Sequence, residues 1–121
     1  MRSVECSVVV STFRPGLDIT LAGMRDQTFP KDSFEVVIVD HRYEKRHREV
    51  LELARQYGVN VIHVPEHRRN GPWTVFCSGW NTGCAVARGR VIILCQDWGY
   101  CPPGYIEAHL QNHYVPGRYV L

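Results

Sequence analysis

Four short apolar runs recur along this chain, each parted from the next by a stretch with helical spacing. The runs are Ser7–Ser11, Phe34–Asp40, Val59–Val64 and Val91–Cys95. They are rich in valine and isoleucine and apolar almost throughout, the pattern of strands buried on both faces. Between the first two, Leu17, Leu21 and Met24 fall at spacings of four and three, which predicts a helix over Leu17 to Gln27, closed by Pro30. Val50, Leu51, Leu53, Ala54 and Tyr57 mark a second helix, stopped by Gly58 at a C′ position. A third is expected from Trp73 to Arg88, and Pro103 opens a fourth that runs to about Tyr114. Gly117 to Leu121 resembles the start of another strand. Strict strand–helix alternation implies an α/β fold: a mainly parallel sheet, right-handed crossovers and helices on both faces.

The third helix carries Gly79, Gly83 and Ala87 in one smooth stripe. Each helical glycine costs about 1 kcal/mol relative to alanine, so the stripe is expected to approach the sheet or a ligand closely. With 121 residues and no linker or repeat, the chain reads as a single domain.

Composition excludes several classes of function. No run reaches the roughly 18 apolar residues of a membrane span, and the N-terminal apolar run is short for a signal peptide. A cytoplasmic protein is expected. The net charge of +2 argues against nucleic acid as a partner, and the basic run His41–Arg48, broken by Glu44, reads as a solvated loop leading into a helix. The five cysteines form no CxxC pair, so free thiols in a reducing compartment are expected. His109 and His113 share one helix face, but the HExxH glutamate and a third ligand are lacking, which argues against a zinc site.

A parallel sheet aims all its strand ends at one rim, where ligands of open α/β sheets bind. Ser11, Thr12, Phe13 and Arg14 follow the first run, Asp40, His41 and Arg42 the second, and Gln96, Asp97 and Trp98 the fourth. That rim offers an aromatic to stack on a base, two carboxylates to accept from base N–H or ribose hydroxyls, and arginines for phosphates: the inventory of a nucleotide site. Neither GxGxxG nor a GK[ST] phosphate loop is present, which disfavours Rossmann dinucleotide binding and P-loop hydrolysis. Cys77-Ser78-Gly79 lacks the frame of a nucleophile elbow.

These segments, in this order, resemble the nucleotide-sugar-binding half of a family 2 glycosyltransferase with the GT-A fold. The matching pieces are Ser7 to Pro15, Gln27-Thr28-Phe29-Pro30, Phe34 to Asp40, and Asn81-x-Gly83-x-x-x-Ala87-x-Gly89-x-x-Ile92 leading into Gln96-Asp97-Trp98. The resemblance implies a three-layer α/β/α, Rossmann-like domain that binds a nucleoside diphosphate sugar for transfer to an unknown acceptor. It implies that Ser11 and Phe13 line the base pocket, that Asp40 accepts from the base, and that Asp97 holds the ribose. Arg68 or Arg69 would meet the diphosphate. Trp98 stands at the position of the family's divalent metal ligand, and an indole is no ligand for a hard cation, so the Mn2+ or Mg2+ is absent, falls to Asp97 alone, or binds weakly.

A catalytic base is not evident. After Asp97 the only carboxylate is Glu107, inside the last helix and expected to face solvent. The family's acceptor part and base lie beyond the segment matched here, so a fragment, a truncated form or one part of an assembly is expected, with the exposed sheet edge or the last helix covered by a second copy in a homo-oligomer. A non-catalytic nucleotide- or protein-binding module, and a flavodoxin-like domain sharing only the hydrophobic pattern, are the competing expectations.

Overall fold

A computed structural model describes residues 3–67 and 76–116 of the chain. The element order is β1 (Cys6–Thr12), α1 (Leu17–Arg25), β2 (Phe34–Asp40), α2 (Tyr43–Tyr57), β3 (Val61–Pro65), α3 (Phe76–Val86), β4 (Val91–Cys95) and α4 (Tyr105–His113). All strand pairs are parallel, in the order β3-β2-β1-β4. The chain winds outward from β1 to β3, then returns through α3 to the other side of β1. The β1/β4 boundary is therefore the switch point of the sheet. The α/β expectation holds. The expected strand at Gly117–Leu121 lies outside the described residues, as does the start of the third helix at Trp73.

Strand alternation builds two cores. Val8, Val10, Val36, Ile38 and Ile93 point to the layer of α1, α2 and α4, where they meet Leu21, Met24, Val50, Ile106 and Leu110. Val9, Val37 and Val39 point the other way, toward Trp80 of α3. α3 lies close on the sheet because its stripe has no side chains. A Cβ on Gly83 would come within 2.3 Å of Val9 Cγ1, and one on Gly79 within 2.0 Å of Ser11 Oγ. The sheet, not a ligand, explains both glycines.

Two boundaries differ from the sequence reading. The basic run belongs to α2, which begins at Tyr43. β3 begins at Val61 rather than Val59, because Gly58 turns left-handed at φ 67° and closes a Schellman cap. The cap bonds are Val59 N–H to Ala54 O at 3.0 Å and Gly58 N–H to Arg55 O at 3.2 Å. Val59 thus packs as part of the cap before the strand starts. Among the described residues, no helix is long and apolar enough to cross a membrane.

At the amino end of the sheet Glu35 is fully buried. Its Oε1 accepts from Ser7 Oγ at 2.7 Å and from the Arg88 amide at 2.8 Å, and its Oε2 accepts from Arg88 Nε at 2.9 Å. Gly89 N–H donates to Ser7 Oγ at 2.8 Å, which ties the turn before β4 to β1.

Candidate functional site

The register brings Thr12 opposite Asp40, and Asp40 opposite Pro65, at one level of the rim. Beyond that level opens a cavity of about 530 Å³, lined by Phe13, Asp40, His41, Arg42, Lys45 and Glu66 among others. Small-molecule sites typically enclose roughly 300–1,000 Å³. Phe13 lines this cavity and is 37% exposed. Arg14 lies 5.7 Å over the same ring.

Asp40 is buried at the cavity floor and fully engaged. Its Oδ1 accepts from Arg42 N–H and Arg46 Nη2, both at 2.8 Å; its Oδ2 accepts from Arg46 Nε at 2.5 Å and His63 Nε2 at 2.9 Å. These four bonds use the four acceptor positions of a carboxylate. Burial disfavours the charged form, but the His63, Arg46 and Arg42 hydrogen bonds outweigh it and hold the carboxyl at about 2. The histidine behind it completes a chain. Because ionised Asp40 only accepts, His63 Nε2 donates to it, and His63 Nδ1 lies 2.8 Å from His47 Nδ1. The Tyr43 hydroxyl meets His47 Nε2 at 3.4 Å.

Asp97 sits at the switch point itself. It accepts from Thr12 Oγ1 at 2.9 Å and from Arg14 Nε at 3.2 Å, and Arg14 Nη2 closes a bidentate ion pair on its other oxygen. Thr20 of α1 donates to its backbone carbonyl at 3.3 Å. Burial again opposes the charge, and the Arg14 and Thr12 hydrogen bonds prevail, which lowers the carboxyl below its ordinary value. Arg46 Nη1 donates to the Arg14 carbonyl at 2.8 Å, so one polar network runs from His63 through Asp40, Arg46 and Arg14 to Asp97. His41 Nδ1 lies 3.5 Å from Glu66 Oε2 at the far wall.

Phe13 and Asp40 therefore share one cavity, and Asp97 flanks it. Ser11 is buried under α3 at Gly79 and is not among the cavity-lining residues. Arg68 and Arg69 lie outside the described residues. Trp98 is 72% exposed beside Asp97. Glu107 accepts from Thr28 Oγ1 and lines a separate groove with Phe29 and Leu110, away from the rim. His109 and His113 meet the Tyr105 and Tyr114 rings. Thr12, Arg46 and His63 complete the network: Thr12 ends β1, a position that its strand pattern reveals, whereas His63 lies in the middle of β3 and Arg46 in the first turn of α2.

The donors do not suit a hard divalent cation. Asp97 is one carboxylate already bidentate to a guanidinium, and its neighbours are an amide and an indole, whereas such cations take several oxygen ligands.

The sequence profile of glycosyl transferase family 2 matches residues 7–120. No curated protein matches the chain. Among solved structures, S. aureus TarS 1-349 superposes with a TM-score of 0.74 at 21% identity over 98% of this chain. Its complex with UDP-GlcNAc superposes with a TM-score of 0.71 at 22% identity, also over 98%. The mannosyltransferase PcManGT from Pyrobaculum calidifontis, in complex with GDP-Man and Mn2+, superposes with a TM-score of 0.61 at 23% identity over 79%. The chain spans 38%, 37% and 28% of those three chains. Likeness at these identities establishes a shared GT-A fold, and the profile match covers nearly the whole chain: it belongs to glycosyl transferase family 2.

Proposed function

We propose that this chain binds a nucleoside diphosphate sugar and serves as the donor half of a glycosyltransferase. One observation carries the reading: a cavity of ligand size at the carboxyl rim, joined by a single polar network to the switch point. The base stacks on Phe13 above Asp40. A base N–H reaches Asp40 by taking the place of one Arg46 hydrogen bond. Asp97 receives a ribose hydroxyl, and Arg14, with Arg69, faces the diphosphate. In transfer these guanidiniums offset the charge that grows on the leaving diphosphate. The sugar passes to an acceptor held by further protein: Asp40, Asp97 and Glu66 are engaged, and Glu44, which also lines the cavity, sits on the exposed first turn of α2. The cytoplasm, where nucleotide sugars and free thiols coexist, is the compartment this reading fits.

Thermal unfolding with UDP, GDP, CDP and ADP, each with and without Mn2+, tests it. A nucleotide at 100 times its dissociation constant should stabilise the chain by about 2.7 kcal/mol. The shift should persist without Mn2+, because Arg14 already holds both oxygens of Asp97. Phe13→Ala should weaken binding by about 1–3 kcal/mol through lost stacking while leaving the fold intact. No shift with any nucleotide refutes the donor pocket; a shift that requires Mn2+ refutes the role given to Arg14.

The engagement of Asp40, Asp97 and Glu66 favours one second reading: the same pocket binds a nucleotide without turnover. Release of free sugar from a UDP-sugar, or its transfer, would exclude it.

A further inference from the structure

Cys95 and Cys101 bracket the loop that carries Asp97, and neither has a part in the site described above. Their Sγ atoms lie 3.6 Å apart and both residues are buried. Their backbones are fixed. Cys95 ends β4 in register with Val10. Cys101 O accepts from Gln27 Nε2 at 3.3 Å, and the Cys101 amide nitrogen lies 2.8 Å from where a Cβ on Gly23 would stand. Between the two clamps Gln96, Trp98, Gly99 and Tyr100 are exposed, so access to the sulfurs runs through this loop. The other thiols are placed differently. Cys77 and Cys84 are exposed on α3, and burial pushes Cys6 up to about 12. Hydrogen bonding within the pair acts in opposite senses: it lowers Cys95 against burial and, with burial, raises Cys101. Either sulfur can make the first attack, and the hydrogen bond from its neighbour favours the Cys95 thiolate.

We propose that Cys95 and Cys101 are a modification site, a dithiol that a low-molecular-weight disulfide oxidises to an intramolecular bond that staples the Asp97 loop and weakens nucleotide binding. The Cys95 thiolate attacks one sulfur of the oxidant, forms a mixed disulfide and expels one thiolate. Cys101 then attacks Cys95 Sγ and expels the second. Two electrons pass to the oxidant, and the two cysteine protons go to the two released thiols. A disulfide bond is about 2.0 Å long, so the sulfurs must close by about 1.5 Å. Whatever part of that movement side-chain rotation does not supply falls on the five-residue loop between the two cysteines and shifts Asp97 against Thr12 and Arg14. The binding half of the proposal rests on the donor-pocket reading; the bond itself does not.

The test treats the reduced 121-residue protein with oxidised glutathione, blocks remaining thiols with iodoacetamide, and weighs the tryptic peptide 91–118, which holds both cysteines and no internal lysine or arginine. That peptide should become two hydrogens lighter and unalkylated, reversibly with dithiothreitol. UDP binding, read from the thermal shift, should fall roughly threefold or more, since displacing a positioned group by about an ångström is costly. Cys101→Ser should show neither the internal bond nor that loss. A peptide that stays doubly alkylated at every oxidant concentration overturns the site. A bond that forms without changing UDP affinity overturns the regulation. If the reduced protein binds no nucleotide, the donor-pocket reading fails, and the peptide mass alone decides the dithiol.

Discussion

Gly89→Ala should destabilise the fold by about 3–5 kcal/mol, a large part of the 5–15 kcal/mol that a domain commonly has. The methyl group would lie 2.4 Å from Ser7 N and 2.5 Å from Cys6 C, and both are backbone atoms of the central strand. A flexible side chain could move aside; β1, paired on both edges, cannot. The turn must move instead, and Gly89 N–H and Arg88 N–H then lose Ser7 Oγ and Glu35 Oε1. Glu35 is a buried carboxylate, so strain is compounded by the loss of one of its donors. Gly99→Ala is the control, because nothing lies within 4 Å of its Cβ position. Urea midpoints should separate the two variants widely. A Gly89→Ala chain within about 0.5 kcal/mol of the wild type would show that the turn does not press on β1.

The glycine in that turn was legible as part of a motif but not as a contact. Spacing reveals that a small residue recurs; which backbone it must clear depends on the finished fold. The same division runs through the site. Phe13, Asp40 and Asp97 could be placed at one rim because strand ends of a parallel sheet converge there. Their partners could not. His63 reads as a strand residue and Arg46 as part of a charge run until α2 and β3 bring both to Asp40. The basic run concealed a helix because α2 buries only Val50 and Ala54 on a mostly polar surface, which leaves a thin apolar stripe. Ser11 was legible by parity: side chains alternate along β1, so if Thr12 faces Asp97 and α1, Ser11 faces α3. The family resemblance drew Ser11 to the base pocket, while the period of two sets it under Gly79.

Replacing Asp40 should cost as much as the glycine, for an electrostatic reason. In Asp40→Ala the Arg46 and His63 side chains, 14% and 0% exposed, lose their common acceptor. Removing one partner of a buried pair costs about 3–5 kcal/mol, because the other charge stays buried. Asp40→Asn should be nearly as damaging: its NH2 group would face Arg46 Nε or His63 Nε2, donor against donor. The charge also predicts a pH signature. The folded carboxyl titrates near 2 and the unfolded one near 3.8, so between those values the unfolded chain binds more protons. The contribution of Asp40 is complete above the unfolded value and is lost as pH falls toward 2, and the Asn variant should lack that part of the acid limb. A double variant separates pairing from shape. With Arg46→Met added, no guanidinium remains without its acceptor, so Asp40→Asn/Arg46→Met should be more stable than Asp40→Asn alone, a coupling of about 1–3 kcal/mol in a denaturant double-mutant cycle. Strict additivity would mean that Asp40 and Arg46 do not act as a pair, and the network from His63 to Asp97 would be broken at its centre.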